Sequence, residues 1–198
     1  RIFWGYALCM TFSRGAFYVF IAGASIVGVS AFQMSTAQLG ICMGSITAGF
    51  IFGSFLCGRF SERFAVTTMM LGGGLIACTA LGLGILACLY GSIIVVLYFA
   101  VCAIVGIGNG MAIPSSNAGV VSVRPELAGS ASGLSASLTV GGGALLSAAT
   151  GLLLTEADAA LTLLAMMMLS CGMSLLATIY VLWLDRRPGT PERLGRTI

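Results

Sequence analysis

The chain has 198 residues, of which 59% are hydrophobic and 8% are charged, whereas an ordinary soluble domain has about a quarter charged residues. This composition excludes a soluble globular fold and indicates a membrane protein. The net charge of +3 comes from predicted loops and the C-terminal tail, so it reflects membrane topology and anionic lipid headgroups, and nucleic-acid binding is not expected.

Long stretches without Asp, Glu, Lys or Arg predict six membrane-spanning helices, since a span needs roughly 20 apolar residues. Backbone polar groups in lipid must be satisfied within each segment, and the alternation typical of barrel strands is absent, so the predicted fold class is all-α. In chain order the spans are expected near residues 3–28, 38–58, 66–89, 93–114, 127–153 and 160–184.

Arginines in the predicted loops indicate the orientation of the chain. The loops after the second and fourth spans contain Arg59, Arg63 and Arg124, whereas the other turns have no Arg or Lys. By the positive-inside rule, the basic loops and both termini are cytoplasmic, which predicts a multi-pass protein of the cell inner membrane. The tail, residues 185–198, is rich in Arg, Pro and Gly and is expected to be disordered.

The N-terminus indicates a piece of a longer protein. The chain does not start with Met, and Arg1 stands directly before an apolar stretch. Neither a charged n-region nor a small-residue cleavage site suggests a signal peptide.

Arg14 is a charged residue inside the first span, about 16 Å from its start. A charge at mid-membrane costs at least about 2.5 kcal/mol, so its expected partner is solvent, a substrate, or a carboxylate on a missing part of the protein. Alternatively, the helix starts later and Arg14 lies nearer the surface. Phe17 and Tyr18 lie close to Arg14 on the helix face, which suits amphiphilic ligands with rings, although such aromatic residues can also be packing contacts.

The fourth span contains two features that break its apolar pattern. Asn109 needs hydrogen-bond partners in lipid, which either a neighbouring helix or a substrate can supply. Pro114 is expected to end or kink the helix, because proline lacks a backbone donor. Ser115, Ser116 and Asn117 follow it and are expected to cap helix ends or to stay hydrated.

Small residues recur at four-residue spacing in the second and fifth spans, which predicts close helix packing. The fifth span also has three consecutive glycines, Gly141, Gly142 and Gly143, which lower helix propensity, so this helix is either a packing face or a hinge. The small residues at four-residue spacing, which we call the small-residue ridges, are Gly40, Gly44 and Ala48, then Gly49 and Gly53, in the second span, and Gly129, Gly133, Ser137 and Gly141 in the fifth.

Enzymatic activity is not expected. The chain has no His, which excludes Ser-His, Cys-His and His-metal sites, and its two aspartates, Asp158 and Asp185, stand at span ends. The seven cysteines form no CxxC pair and are interpreted as small buried hydrophobes. We therefore expect no catalytic residue, metal site or cofactor.

The loop after the second span resembles a signature of a transporter family. GRFSERF, with Gly58, Glu62 and Arg63, resembles the inter-helix motif of the major facilitator superfamily, in the weaker form found in the second half of those transporters. GNGMAIPSSNAG followed by RPELAGSASG, and FWGYALCMTF at the start, resemble the Bcr/CflA and chloramphenicol/florfenicol drug exporters.

This resemblance implies that the chain is helices seven to twelve of a twelve-helix, proton-coupled drug antiporter whose N-terminal half is missing. Gly58, Glu62 and Arg63 would then form a cytoplasmic gate, and Arg14, Tyr18 and Asn109 would lie at the substrate. Paired halves with a site near the midplane are also expected of secondary transporters in general.

Two other interpretations remain open from the sequence. The chain could be a truncated or structural helix bundle without transport activity of its own, or a half-size transporter that dimerises.

Overall fold

The computed structural model describes residues 2–91, 94–123, 125–154 and 158–185. These residues form six helices that are long and apolar enough to cross a membrane, without a strand among them, which confirms the predicted all-α class. Arg1, Arg124, Glu156 and the tail after Asp185 lie outside the described residues. The helices are α1 (Ile2–Ile26), α2 (Thr36–Phe60), α3 (Val66–Leu89), α4 (Val95–Ser122), α5 (Ala128–Leu153) and α6 (Ala159–Asp185).

Local sequence determines where α1 ends and where α2 begins. α1 continues as a π-helical turn, Val27–Ala31, and Ser35 then starts α2 with a capping box. The Ser35 hydroxyl accepts from the Gln38 backbone N–H at 3.4 Å, and the Gln38 amide oxygen accepts from the Ser35 backbone N–H at 3.0 Å. Two orphan donors are satisfied, which fixes the beginning of α2.

α4 and α1 occupy the middle of the bundle. α4 packs against α1, α2 and α3, and α1 also packs against α5 and α6. α1 and α4 are the most buried spans, whereas α2 and α5 are the least buried. The open faces of α2 and α5 include five of the predicted small residues, where an added Cβ would have no neighbour within 4 Å: Gly40, Gly44, Gly129, Gly133 and Gly141.

Four glycines bring the backbones of α2 and α4 into direct contact, and we call them the glycine seam. Their residues are Gly49 and Gly53 of α2 and Gly106 and Gly110 of α4. A Cβ at any of the four would overlap a carbonyl of the facing helix. Small residues allow this approach, because helices in lipid associate through close packing. The part of the small-residue ridges formed by Gly49 and Gly53 is therefore a packing face.

α4 extends beyond its predicted end. It passes through Pro114 and ends at Ser122, so the expected boundary at residue 114 is corrected. Pro114 has no N–H to donate to the carbonyl four residues earlier, at Gly110. The Ser54 hydroxyl of α2 donates to that carbonyl oxygen instead, at 3.3 Å. A donor from a neighbouring helix thus satisfies the freed group, which allows a proline inside a span.

Removal of the Ser54 hydroxyl is expected to destabilise the bundle measurably. In Ser54→Ala, the Gly110 carbonyl loses its donor, and the free energy of unfolding should fall by about 1–2 kcal/mol. Chemical unfolding in mixed micelles, followed by circular dichroism, measures this change.

Ser45 provides a matched control for that experiment. It also donates from α2 to a carbonyl of α4, that of Phe99, at 3.3 Å. Because Ala103 still has an N–H for that carbonyl, Ser45→Ala should cost only about 0.6 kcal/mol or less. Equal losses of stability in the two variants would contradict the interpretation that the Ser54 hydroxyl replaces the donor that Pro114 lacks.

Candidate functional site

A cavity of about 260 Å³ lies between α1, α2 and α4. Arg14 is the central residue of α1, and Asn109 lies within one residue of the centre of α4, so the cavity is at the mid-depth of the bundle. All four predicted substrate-binding residues line it. The lining consists of Arg14, Phe17, Tyr18, Ile46, Thr47, Phe50, Gly106, Asn109 and Ile113.

The side chain of Arg14 is exposed at this cavity, although its neighbours Ser13 and Gly15 are buried. It forms no hydrogen bond or ion pair with another residue in the described ranges. α1, α2 and α4 contain no Asp or Glu, so these three helices offer no carboxylate. Because α1 begins at Ile2, the alternative of a later helix start is not supported. The guanidinium donors are available to a molecule in the cavity.

Asn109 is only 5% exposed, and it lines the cavity. Its neighbours Gly108 and Gly110 are in backbone contact with α3 and α2, respectively, so its position is fixed from both sides. Within the described part of the chain, its amide makes no hydrogen bond to a neighbouring helix. The amide is therefore available to a molecule in the cavity, and its contact with a ligand stays a prediction.

The three consecutive glycines of α5 have different surroundings. α5 runs through them without interruption. A Cβ at Gly143 would overlap the ring of Tyr18, one at Gly142 would meet Thr11, and one at Gly141 would be in open space. Because Gly143 has no side chain, α5 can approach α1 closely and the Tyr18 ring packs against Gly143 beside the cavity. The predicted hinge at Gly141–Gly143 and Pro114 stays a prediction.

A buried network of hydroxyl and thiol groups links α1, α4 and α6 beside Arg14. The Cys9 sulfur lies 3.3 Å from the Ser174 and Thr178 hydroxyls and 3.2 Å from the Ser116 hydroxyl. The Ser13 and Ser174 hydroxyls are 2.7 Å apart. Sequence reasoning missed this network.

Two expectations are corrected by these contacts. Ser115 and Ser116 do not cap a helix end but are buried inside α4, where they donate to the carbonyls of Met111 and Ala112 at 2.9 and 2.7 Å. Cys9 is buried but is not only a small hydrophobe, because its sulfur contacts three hydroxyl groups. In the sequence, the available signal is the four-residue spacing of Ser170, Ser174 and Thr178, which puts them on one helix face.

The predicted gate residues lie apart from the cavity. Gly58 is at the end of α2, Glu62 and Arg63 are in the following turn, and all three are exposed. The Ser61 hydroxyl donates to the Gly58 carbonyl at 3.0 Å. Gly58 is 11 residues beyond Thr47 of the cavity, about 16 Å along the helix. A separate pocket of about 250 Å³ is formed there by Arg59, Phe60, Glu62 and Arg63.

Residues able to hold a metal ion do not cluster in the described ranges: no three His, Cys, Asp or Glu side chains come together there.

Six membrane-length helices in the described residues, with a cavity at mid-depth between three of them, are the arrangement expected of half a secondary transporter. The family model of the Major Facilitator Superfamily matches residues 2–197. The chain belongs to this superfamily, whose members are transporters. None of the curated proteins compared with the chain matches it.

Proposed function

We propose that the chain is the C-terminal half of a proton-coupled exporter of amphiphilic drugs that works by alternating access. The observation that carries this proposal is the cavity in which Arg14, Phe17, Tyr18 and Asn109 come together at mid-depth. A cation and an amide among aromatic rings suit a ligand that has both polar and ring-shaped parts. A site at the bilayer midplane is the usual position in secondary transporters.

The partner in this proposal is an N-terminal six-helix half. The open faces of α2 and α5 support it, because both helices leave small residues uncovered on the side of the bundle that they expose. Protons are the proposed coupling ion. The spans of this chain contain no acidic residue in their middle, so the carboxylates that carry protons would belong to the other half.

In this proposal, Gly58, Glu62 and Arg63 form a gate on the cytoplasmic side of the inner membrane, where both termini also lie. Their exposure at the turn after α2 leaves Glu62 and Arg63 accessible to charged groups of a second half. Charges at helix ends can hold such a gate closed and release it when their partners move.

Drug efflux tests the proposal directly. The chain is expressed alone, and also joined to the N-terminal half of a related transporter, with that half alone as the control. We expect the joined protein to lower the cellular accumulation of an amphiphilic antibiotic, and a protonophore to abolish this effect. Efflux by neither form would contradict the proposal and favour a structural bundle.

The genomic sequence directly upstream provides an independent test. Six further spans in frame would support a twelve-helix transporter, whereas a start codon immediately before Arg1 would argue against it.

A further inference from the structure

The electrostatic character of the cavity narrows the class of molecule that can occupy it. Arg14 contributes one positive charge, and the three helices that line the cavity contain no acidic residue. Its guanidinium makes no ion pair with a described residue. Within this half, a guanidinium without a carboxylate partner attracts anions and repels cations at mid-depth.

The other polar group in the cavity adds hydrogen-bonding capacity. Asn109 is 5% exposed and opens onto the same space as Arg14, without a hydrogen bond to another described residue. An amide has two N–H donors, and a guanidinium has five in a planar fork. Together they match a carboxylate, which accepts several hydrogen bonds and pairs well with Arg.

Aromatic rings form much of the remaining lining. Phe17 and Tyr18 of α1 and Phe50 of α2 are half-buried around the cavity. Its volume of about 260 Å³ is slightly below that of common ligand pockets, about 300–1,000 Å³. A single aromatic ring with a short chain therefore fits the space that this half provides.

We propose that the cavity selects aromatic amphiphiles with one anionic group, which pairs with Arg14 and Asn109 while the ring packs against Phe17, Tyr18 and Phe50. Cationic amphiphiles are discriminated against. This inference rests on the proposed function, because it takes the cavity to be the substrate site of the transporter.

Three probes that differ only in charge test the inference: 4-phenylbutyrate, 4-phenylbutanol and 4-phenylbutylammonium. Binding to the 198-residue chain is measured by calorimetry in nanodiscs of phosphatidylcholine, with empty nanodiscs subtracted. We expect the Kd of the carboxylate to be at least about tenfold lower than that of the ammonium, as for a charge-assisted hydrogen bond. An equal or lower Kd for the ammonium would overturn the inference.

Variants distinguish the effect of the Arg14 charge in the cavity from the effect of the net charge of the protein. Arg14→Gln should abolish the preference for the carboxylate over the alcohol, and Arg14→Lys should keep it. Arg59→Gln removes the same charge from the exposed end of α2 and should also keep it. An equal loss of preference in Arg59→Gln and Arg14→Gln would overturn the inference.

Efflux of a neutral amphiphile by the joined protein is measured in parallel, because it reports on the proposed function independently of charge selection. If the neutral amphiphile is exported but the ammonium binds with a Kd equal to or lower than that of the carboxylate, the proposed charge selection is overturned and the proposed function is kept. Loss of efflux with the carboxylate preference intact contradicts the proposed function but leaves the anion-selective cavity.

Discussion

Gly53→Ala is expected to lower the free energy of unfolding by at least about 2 kcal/mol. The new Cβ would overlap the carbonyl oxygen of Ile107 and lie 2.9 Å from its Cα. Both atoms belong to the backbone of α4, so no side-chain rotation can relieve the contact and the two helices must separate. Overpacking of this kind costs about 1–3 kcal/mol or more. The midpoint and slope of chemical unfolding in mixed micelles measure the loss.

Gly82→Ala is the matched control for this prediction. Gly82 also lies inside a helix, α3, but a Cβ there has no neighbour within 4 Å. Alanine has a higher helix propensity than glycine by about 1 kcal/mol, so this variant should be as stable as the parent protein or more stable. Similar losses of stability in Gly53→Ala and Gly82→Ala would refute the role of the glycine seam.

Arg14→Ala is expected to reduce efflux of an aromatic amphiphile by the joined protein about tenfold or more. The variant loses the only cationic group of the cavity lining, and a hydrogen bond to a charged group contributes about 1.5–3 kcal/mol. Stability should be kept or increased, because a charge at mid-membrane is costly. Initial efflux rates, normalised to the amount of protein in the membrane, measure the effect.

The corresponding control removes a charge away from the cavity. Arg193→Ala removes the same charge from the C-terminal tail, outside both the cavity and the gate motif, and should leave the efflux rate within about twofold of the parent protein. Unchanged efflux in Arg14→Ala would exclude the proposed role of Arg14 in substrate binding.

The helical architecture could be predicted from the sequence because lipid imposes one simple rule, namely that apolar stretches must satisfy their own backbone. The same rule located Arg14 and Asn109 as polar exceptions, and the structure brings both to one cavity. Their role in substrate binding stays a prediction. Apolar patterns cannot reveal which helices are neighbours, so the packing of α4 against α2 and α3 had to come from the structure.

The errors have a common physical cause. The sequence predicts that the fourth span ends at residue 114, because proline lacks a backbone donor, but the Ser54 hydroxyl from α2 donates to the freed carbonyl and α4 continues to Ser122. The alternative of a kink at Pro114 stays a prediction. Likewise, the sequence predicts that Ser116 caps a helix end or stays hydrated, yet it lies in a network with Cys9 of α1. Each case depends on a partner more than 50 residues away in the chain, which local sequence rules cannot identify.

The glycine seam limits how this protein can evolve. Every single-nucleotide change that replaces a glycine adds at least a Cβ, and at Gly49, Gly53, Gly106 and Gly110 a Cβ would meet facing backbone. Replacement of any of these glycines is therefore expected to lower stability, so selection should favour synonymous changes at these codons. Thr47 and Phe50, close to Gly49 on α2, line the cavity. If the cavity is the substrate site, as proposed, changes of these side chains can alter its specificity without adding a Cβ to the glycine seam.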